Sequence, residues 1–359
     1  MAIMNKIKVL IAEDSKVISK MLISLFDSAD DIEVVGSVHN GVDAVEMTKK
    51  LKPDIVTMDI HMPQIDGLEA TKKIMSECPT PIVIISSYVD DDEMNITFDA
   101  LNEGALAVLA KPKYFSDDGF ISEGISLLDT IRALSEVKVI TRRKIKTVVS
   151  IPKVTSKIKT IKVCAIGAST GGPNALNLIF SSLPKKINFP IVVVQHIASG
   201  FLPGLVSWLN LNSKLPISII NDAMHLEPNH IYFAGEGKHL VLYSDKNSVI
   251  ARQLNSDPVS YFRPSVTVLF DSIARNFEHG AMGCLLTGMG ADGADGINTM
   301  EKNGGLTMVQ SKATSVVFGM PKSALDLNSN HQIMDIDLVS DFISNISKRS
   351  LYEHKNSSC

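Results

Sequence analysis

Short apolar runs alternate with helix-period stretches along this chain of 359 residues, and they do so in two separate series. Residues 138–162 part the series and hold nine Lys and Arg with no acid. Alternation of this kind favours a parallel sheet with helices on both faces, because each crossover must return over the sheet. Two series predict two such domains, and the length lets each bury its own core. In these sheets chemistry collects beyond the carboxyl ends of the strands, so the residues just after each apolar run are the ones to read.

In the first series, strands are expected at Ile7–Ala12, Glu33–Val38, Asp54–Met58, Ile82–Ile85 and Ala107–Ala110. Glu13 and Asp14 follow the first strand, Asp59 the third, Ser86 the fourth and Lys111 the fifth. Single acids at strand ends are commonly turn or cap residues. Here five polar residues stand at matching ends, and three converging carboxylates repel one another without a cation. Oxygen-only ligation with room for water suits Mg²⁺. An ionised Asp59 beside that metal is placed to attack a phosphoryl donor and form an acyl phosphate, whose oxygens Lys111 and Ser86 would bind.

The second series opens with Ile161–Ile166 and the turn Gly167-Ala168-Ser169-Thr170-Gly171-Gly172, ahead of a helical pattern from Asn174. Gly-x-Ser-x-Gly is the pattern of a nucleophile on a tight elbow. The same turn also suits a phosphate cradle, or a serine serving as a helix cap. The run Ile191–Val194 reads as a buried strand with Gln195 and His196 at its end. A third run, Ala281–Leu286, enters Thr287-Gly288-Met289-Gly290-Ala291-Asp292-Gly293. That loop alone fits a calcium or phosphate site, or a plain turn. Serine, histidine and acid at three strand ends are what nucleophilic acyl transfer needs. In that reading His196 takes the Ser169 proton, Asp292 orients the ring, and N–H groups near Thr170 and Met289 hold the oxyanion. The chain order Ser…His…Asp differs from the Ser…Asp…His of α/β-hydrolases.

Charge narrows the partners. Residues 1–125 carry 11 Lys/Arg against 22 Asp/Glu, and the remainder carries a surplus of seven positive charges. The basic run lacks aromatic residues for stacking on bases and no recognition-helix pattern accompanies it, so nucleic acid is not expected. It reads as a solvated linker. No apolar run is long enough to span a bilayer and no secretory signal is read, so a cytoplasmic protein without membrane insertion is expected. Cys164 and Cys284 lie in apolar runs and read as reduced core thiols.

Two known families share these patterns. Residues 1 to about 125 resemble a response-regulator receiver domain in Ala12-Glu13-Asp14-Ser15, Met58-Asp59-Ile60-His61-Met62-Pro63, Asp66-Gly67 and Lys111-Pro112. Residues 161 to about 345 are similar to the catalytic domain of the chemotaxis protein-glutamate methylesterases. The motifs there are Ile166–Pro173, Gln195-His196, Arg263-Pro264-Ser265-Val266, Leu286–Gly293 and Val317–Pro321. The resemblance implies an α/β protein of two doubly wound parallel-sheet domains, a flavodoxin-like receiver followed by a Rossmann-like methylesterase domain. A basic linker at 126–160 and a polar tail at 346–359, disordered from Lys348, complete the expected organisation.

The resemblance further implies site roles. Asp59 would be the phospho-acceptor, with Mg²⁺ held by Glu13, Asp14, Asp59 and the backbone carbonyl of His61. Ser169, His196 and Asp292 map onto the triad and Met289 onto the oxyanion loop, with no cofactor for ester hydrolysis. The implied activity is hydrolysis of glutamyl methyl esters on cytoplasmic chemoreceptor helices, giving glutamate and methanol, with deamidation of receptor glutamines alongside. A chemotaxis histidine kinase is the implied phosphodonor, and the unphosphorylated receiver is expected to cover the cleft. The competing class is a binding module with a degenerate hydrolase fold. Three departures stand out. Val108 replaces an aromatic common in receivers, Ile197 follows His196 where methionine is frequent, and Thr267 stands where an acid often follows Arg-Pro-Ser-Val.

Overall fold

The structure, a computed structural model, describes residues 6–87, 91–112, 117–139, 160–245 and 248–356. The chain divides into two compact units, Met1–Lys146 and Thr147–Cys359. Most of the basic stretch read as a linker, residues 140–159, lies outside the described residues.

The first unit runs β1 (Ile7–Ala12), α1 (Lys16–Asp27), β2 (Ile32–Val38), α2 (Gly41–Leu51) and β3 (Ile55–Met58). It continues through α3 (Gly67–Glu77), β4 (Ile82–Ser86), α4 (Asp91–Asn102), β5 (Ala107–Ala110) and α5 (Asp117–Ser135). The strands form one parallel sheet in the order β2-β1-β3-β4-β5. Val9, Leu10 and Ile11 are fully buried, as are Ile82, Val83 and Ile84. Strands covered on both faces read as unbroken apolar runs rather than as alternation. Ser15, Asn40 and Asp66 start α1, α2 and α3, each accepting a first-turn N–H on its side chain. The boundary expected at residue 125 falls too early. Helix α5 runs on to Ser135 and buries Leu127, Leu128, Ile131 and Leu134, spaced to one helical face.

The second unit begins β6 (Val163–Ala168), α6 (Gly172–Ser182), β7 (Ile191–Gln195), α7 (Leu202–Asn212), β8 (Ile217–Ile220), β9 (Met224–Leu226) and β10 (Ile231–Ala234). Then come β11 (His239–Asp245), β12 (Ser248–Leu254), α8 (Val266–Phe277), β13 (Ala281–Leu285) and α9 (Ala294–Lys302). The last elements are β14 (Leu306–Gln310), α10 (Met320–Leu327), β15 (Gln332–Met334) and α11 (Ile336–Asn356). Seven strands form a parallel sheet in the order β15-β14-β13-β6-β7-β10-β8.

A small antiparallel sheet, β11-β12-β9, adds to the doubly wound expectation. Helix α8 joins it to the main sheet. Val266, Leu269, Phe270, Ile273, Ala274 and Phe277 recur at helical spacing and share one core with Leu240 and Leu242 of β11. Trp208 is fully buried in α7, the packing role its apolar neighbours predict. The tail expected from residue 346 is instead the end of α11, which continues to Asn356 and buries Val339, Phe342, Ile343 and Ile346. Among the described residues, no helix is long and apolar enough to cross a membrane.

Candidate active site

Ser169 follows β6, His196 follows β7, and Asp292 sits in the loop after β13. These strands are consecutive neighbours, β13-β6-β7, and the winding direction of the sheet reverses there. The three residues therefore share the crevice at a topological switch point, where open α/β sheets bind ligands.

Backbone contacts lock the three loops together. Ser169 N–H donates to the Thr287 carbonyl and His196 N–H to the Ala168 carbonyl, both at 3.0 Å. Gln195, the last residue of β7, bridges the Ser169 and His196 loops. Its Nε2 donates to the Ser169 carbonyl at 2.9 Å and to the His196 carbonyl at 2.8 Å. Gly288 is required by proximity. A Cβ there would fall 2.8 Å from Ser169 Cβ and 2.2 Å from Met320 Sδ, so only glycine lets the Asp292 loop approach the elbow.

The acid and the histidine are in direct contact, His196 Nε2 lying 2.9 Å from Asp292 Oδ2. Asp292 is 1% exposed. Its oxygens also accept from Ser265 Oγ at 2.7 Å, Val266 N–H at 2.7 Å and Thr267 N–H at 3.0 Å. The carboxylate thus caps α8 at its positive end, which favours the ionised form. Burial alone would push its pKa up, but the hydrogen bond and charge of His196, with Ser265 and Thr267, hold it down at about 2. Every lone-pair direction is spent on protein donors, so the calcium-loop alternative has no physical support here.

Because an ionised carboxylate can only accept, Nε2 donates a ring hydrogen to it, and in a neutral imidazole Nδ1 is then the nitrogen with the lone pair. Nδ1 is buried and takes no hydrogen bond among the described residues. Ser169, 9% exposed, makes no side-chain hydrogen bond to the ring in this state. Such bonds often tighten only when substrate binds.

Thr287 registers the two expected oxyanion donors. Its Oγ1 donates to the Thr170 carbonyl at 3.0 Å and accepts from Val317 N–H at 3.0 Å, while its own N–H donates to Gln310 Oε1 at 2.8 Å. The N–H groups of Thr170 and Met289 have no acceptor among the described residues, on either side of this bridge. Helix α6 begins at Gly172, so its positive end adds to the potential at the elbow.

The segment 257–267 supplies residues the motif reading did not assign. Phe262 stacks face to face on the His196 ring, with centroids 3.7 Å apart and planes within 1°. Ser265, in Arg-Pro-Ser-Val, was legible as a helix cap, though not as a partner of Asp292. Thr267 is explained: its Oγ1 accepts from Gly293 N–H at 2.7 Å, tying the acid loop to α8. His239 is fully buried, its Nδ1 accepting from Ser265 N–H and its Nε2 donating to the Asp257 carbonyl. Arg263 forms no ion pair among the described residues and donates to the Ser256 carbonyl at 3.2 Å. Cys164 and Cys284 are buried free thiols on β6 and β13.

In the first unit, Glu13, Asp14 and Asp59 gather as predicted, with carboxylate oxygens all within 4.8 Å of one another. Lys111 Nζ lies 2.9 Å from Asp59 Oδ2 and 3.0 Å from Glu13 Oε1. Burial, then the charge of Asp59, push Glu13 up to about 7 against the pull of Lys111. Burial likewise raises Asp59, although Lys111 offsets part of it. Glu13 Oε2 is buried, and Lys111 Nζ lies 3.0 Å from it as well. Crowded hard oxygens, with the exposed Asp14 carboxylate open to solvent beside them, fit a Mg²⁺ ion. His61, two residues past Asp59, is exposed. The Ser86 hydroxyl is engaged with Thr97 Oγ1 at 3.3 Å and the Ser87 carbonyl at 3.2 Å rather than with Asp59. Gly67 seats α3 against this site, since a Cβ there would lie 2.0 Å from the Asp59 carbonyl oxygen.

Comparison with known proteins covers both units. The family model of the CheB methylesterase matches residues 164–343, and that of the response regulator receiver domain matches residues 9–117. A protein-glutamate methylesterase/protein-glutamine glutaminase of Myxococcus xanthus is 39% identical over 342 residues, spanning 94% of this chain and 96% of its own. One from Syntrophus aciditrophicus is 39% identical over 335 residues, spanning 91% of this chain and 95% of its own. The crystal structure of the Thermotoga maritima CheB methylesterase catalytic domain aligns with a TM-score of 0.50 at 33% identity, covering 52% of this chain and 98% of that one.

Proposed function

This chain belongs to the CheB methylesterase family, with a response regulator receiver domain ahead of the esterase domain, and from that premise we propose that Ser169, His196 and Asp292 hydrolyse glutamyl methyl esters. The observation that carries the assignment is the Asp292–His196 contact at the β13-β6-β7 switch point, which leaves one ring nitrogen as a base beside the serine turn.

The reaction follows from that geometry. Nδ1 of His196 takes the Ser169 proton as Oγ attacks the ester carbonyl carbon. The oxyanion accepts hydrogen bonds from Thr170 and Met289 N–H, a contribution worth about 3–4 kcal/mol per donor in enzymes where one was removed. Methoxide leaves with the proton from Nδ1, giving methanol and an acyl-enzyme. A water, deprotonated by the same nitrogen, then releases glutamate. Asp292 keeps its charge throughout and stabilises the imidazolium. A glutamine substrate follows the same path with ammonia as the leaving group.

The substrates are cytoplasmic segments of methyl-accepting chemotaxis receptors, and the protein works in the cytoplasm. Phosphorylation of Asp59 by a chemotaxis histidine kinase regulates it. Glu13, Asp14 and Asp59, with the His61 carbonyl, would hold Mg²⁺, which when bound neutralises the carboxylates and the incoming phosphoryl group. Lys111 is already positioned beside Asp59 to pair with phosphoryl oxygens.

The test is methanol release from methylated receptor by full-length protein with phosphodonor and Mg²⁺. Ser169→Ala should abolish it, and equal turnover by that variant would remove the triad assignment.

A further inference from the structure

The segment 259–267 reaches the reacting groups twice, through Phe262 stacked on His196 and through Ser265, Val266 and Thr267 bound to Asp292. Just upstream the chain closes a tight hairpin. Val259 N–H donates to the Phe262 carbonyl at 3.1 Å, and Phe262 N–H returns to the Val259 carbonyl at 2.9 Å. The two residues inside that turn, Ser260 and Tyr261, have φ of 51° and 70°. Positive φ at both central positions makes the mirror-type turn usually filled by Asn-Gly, because a Cβ is disfavoured there. A tyrosine is a poor choice for backbone reasons alone.

It is also a poor choice for solvation. Tyr261 is 98% exposed, more than any other large hydrophobic residue among those described. Two independent costs therefore coincide one residue from the ring that stacks on His196. Strain held beside a reacting centre points toward function. The turn is anchored through Phe262, stacked on His196, and through Ser265, Val266 and Thr267, bound to Asp292, so Tyr261 stands on a segment that borders the reacting groups. Ser169 is buried, at 9% exposure, and a glutamyl ester side chain is short. Any polypeptide delivering that ester to Ser169 must bring its backbone down to the rim.

We propose that Tyr261 is a specificity-determining residue that grips the helical protein substrate, packing its ring on the segment that carries the esterified glutamate. The inference rests on the methylesterase reading and deepens it. A tyrosine on a rigid turn gains large contact area for little lost freedom, which is why such residues dominate binding energy at interfaces. The chemistry at Ser169 does not require the ring, so its contribution lies in holding large substrates.

Full-length protein in Mg²⁺, with and without phosphodonor, is assayed on methylated receptor and on N-acetylglutamate γ-methyl ester. Tyr261→Ala and Tyr261→Gly should raise the receptor KM by about tenfold and leave kcat within about twofold. Turnover of the small ester should not change, and Tyr261→Phe should keep the wild-type receptor KM. Because glycine suits positive φ, Tyr261→Gly should unfold at the wild-type temperature or above it. An unchanged receptor KM in the Ala and Gly variants overturns the proposal. Equal losses on both substrates also overturn it, since they would place the effect on His196 through Phe262. So does a loss confined to phosphodonor activation, which would put the ring against the receiver. A wild-type protein inert on methylated receptor refutes the methylesterase reading itself, and the inference falls with it.

Discussion

Asp292 holds His196 by Nε2 at 2.9 Å, and the ring's other nitrogen is left buried and without a hydrogen-bond partner among the described residues. One contact thus orients the ring and selects which nitrogen faces away from the carboxylate. Asp292→Asn should lower kcat roughly a thousand- to ten-thousand-fold, because an amide no longer enforces the tautomer. Ser265→Ala removes one hydrogen bond to the buried carboxylate and should cost about 1.5–3 kcal/mol of stability, measured by urea unfolding.

The depressed pKa of Asp292 has a definite sign. The folded value of about 2 lies below the ordinary 3.8, so the native state binds this proton less readily than the unfolded chain. The stabilisation is complete above 3.8 and is lost as pH falls through about 2. Thermal unfolding across that window should show the wild type losing more stability than Asp292→Asn. In activity profiles, Asp292 should contribute no titration above about pH 4.

Gln195 should prove a positioning residue. Gln195→Met keeps the volume and removes both donors that tie the Ser169 and His196 carbonyls together. Misplacement on the ångström scale costs about a hundredfold in kcat. Steady-state kinetics should show that loss with little change in KM. Gln195→Glu should be impaired more at high pH, where a carboxylate faces two carbonyl oxygens.

In the receiver, Asp59→Asn should take up no phosphoryl group and show no phosphodonor-dependent rise in methanol release. Lys111→Met leaves Glu13 and Asp59 buried without their cation. Without Mg²⁺ it should be destabilised by about 3–5 kcal/mol, the usual cost of breaking a buried ion pair. Mg²⁺ should then raise the unfolding temperature of this variant more than that of the wild type.

Much of this was legible because strand ends announce themselves. An apolar run followed by Glu13-Asp14, Asp59, Ser169 or His196 marks both the strand and the place where its chemistry emerges. The residues that remained silent act by touching something distant in the chain. Gln195 looks like one more strand residue until its amide meets the Ser169 carbonyl, and Phe262 is an ordinary aromatic until it covers His196. The ends of α5 and α11 are hard to read from sequence for another reason. Leu127–Leu134 and Phe342–Ile346 continue helices whose apolar faces are narrow, and polar residues around them mask the stripe.

By itself, the sequence determined two parallel α/β units, the residues at their strand ends and the chemical types available there, because period and glycine punctuation are local properties. Only the tertiary structure decided that β13, β6 and β7 lie side by side and that α8 presents its first turn to Asp292. Strand order and helix docking are set by how buried faces pack across the whole unit. The ionisation of Asp292 and the free nitrogen of His196 follow from that packing.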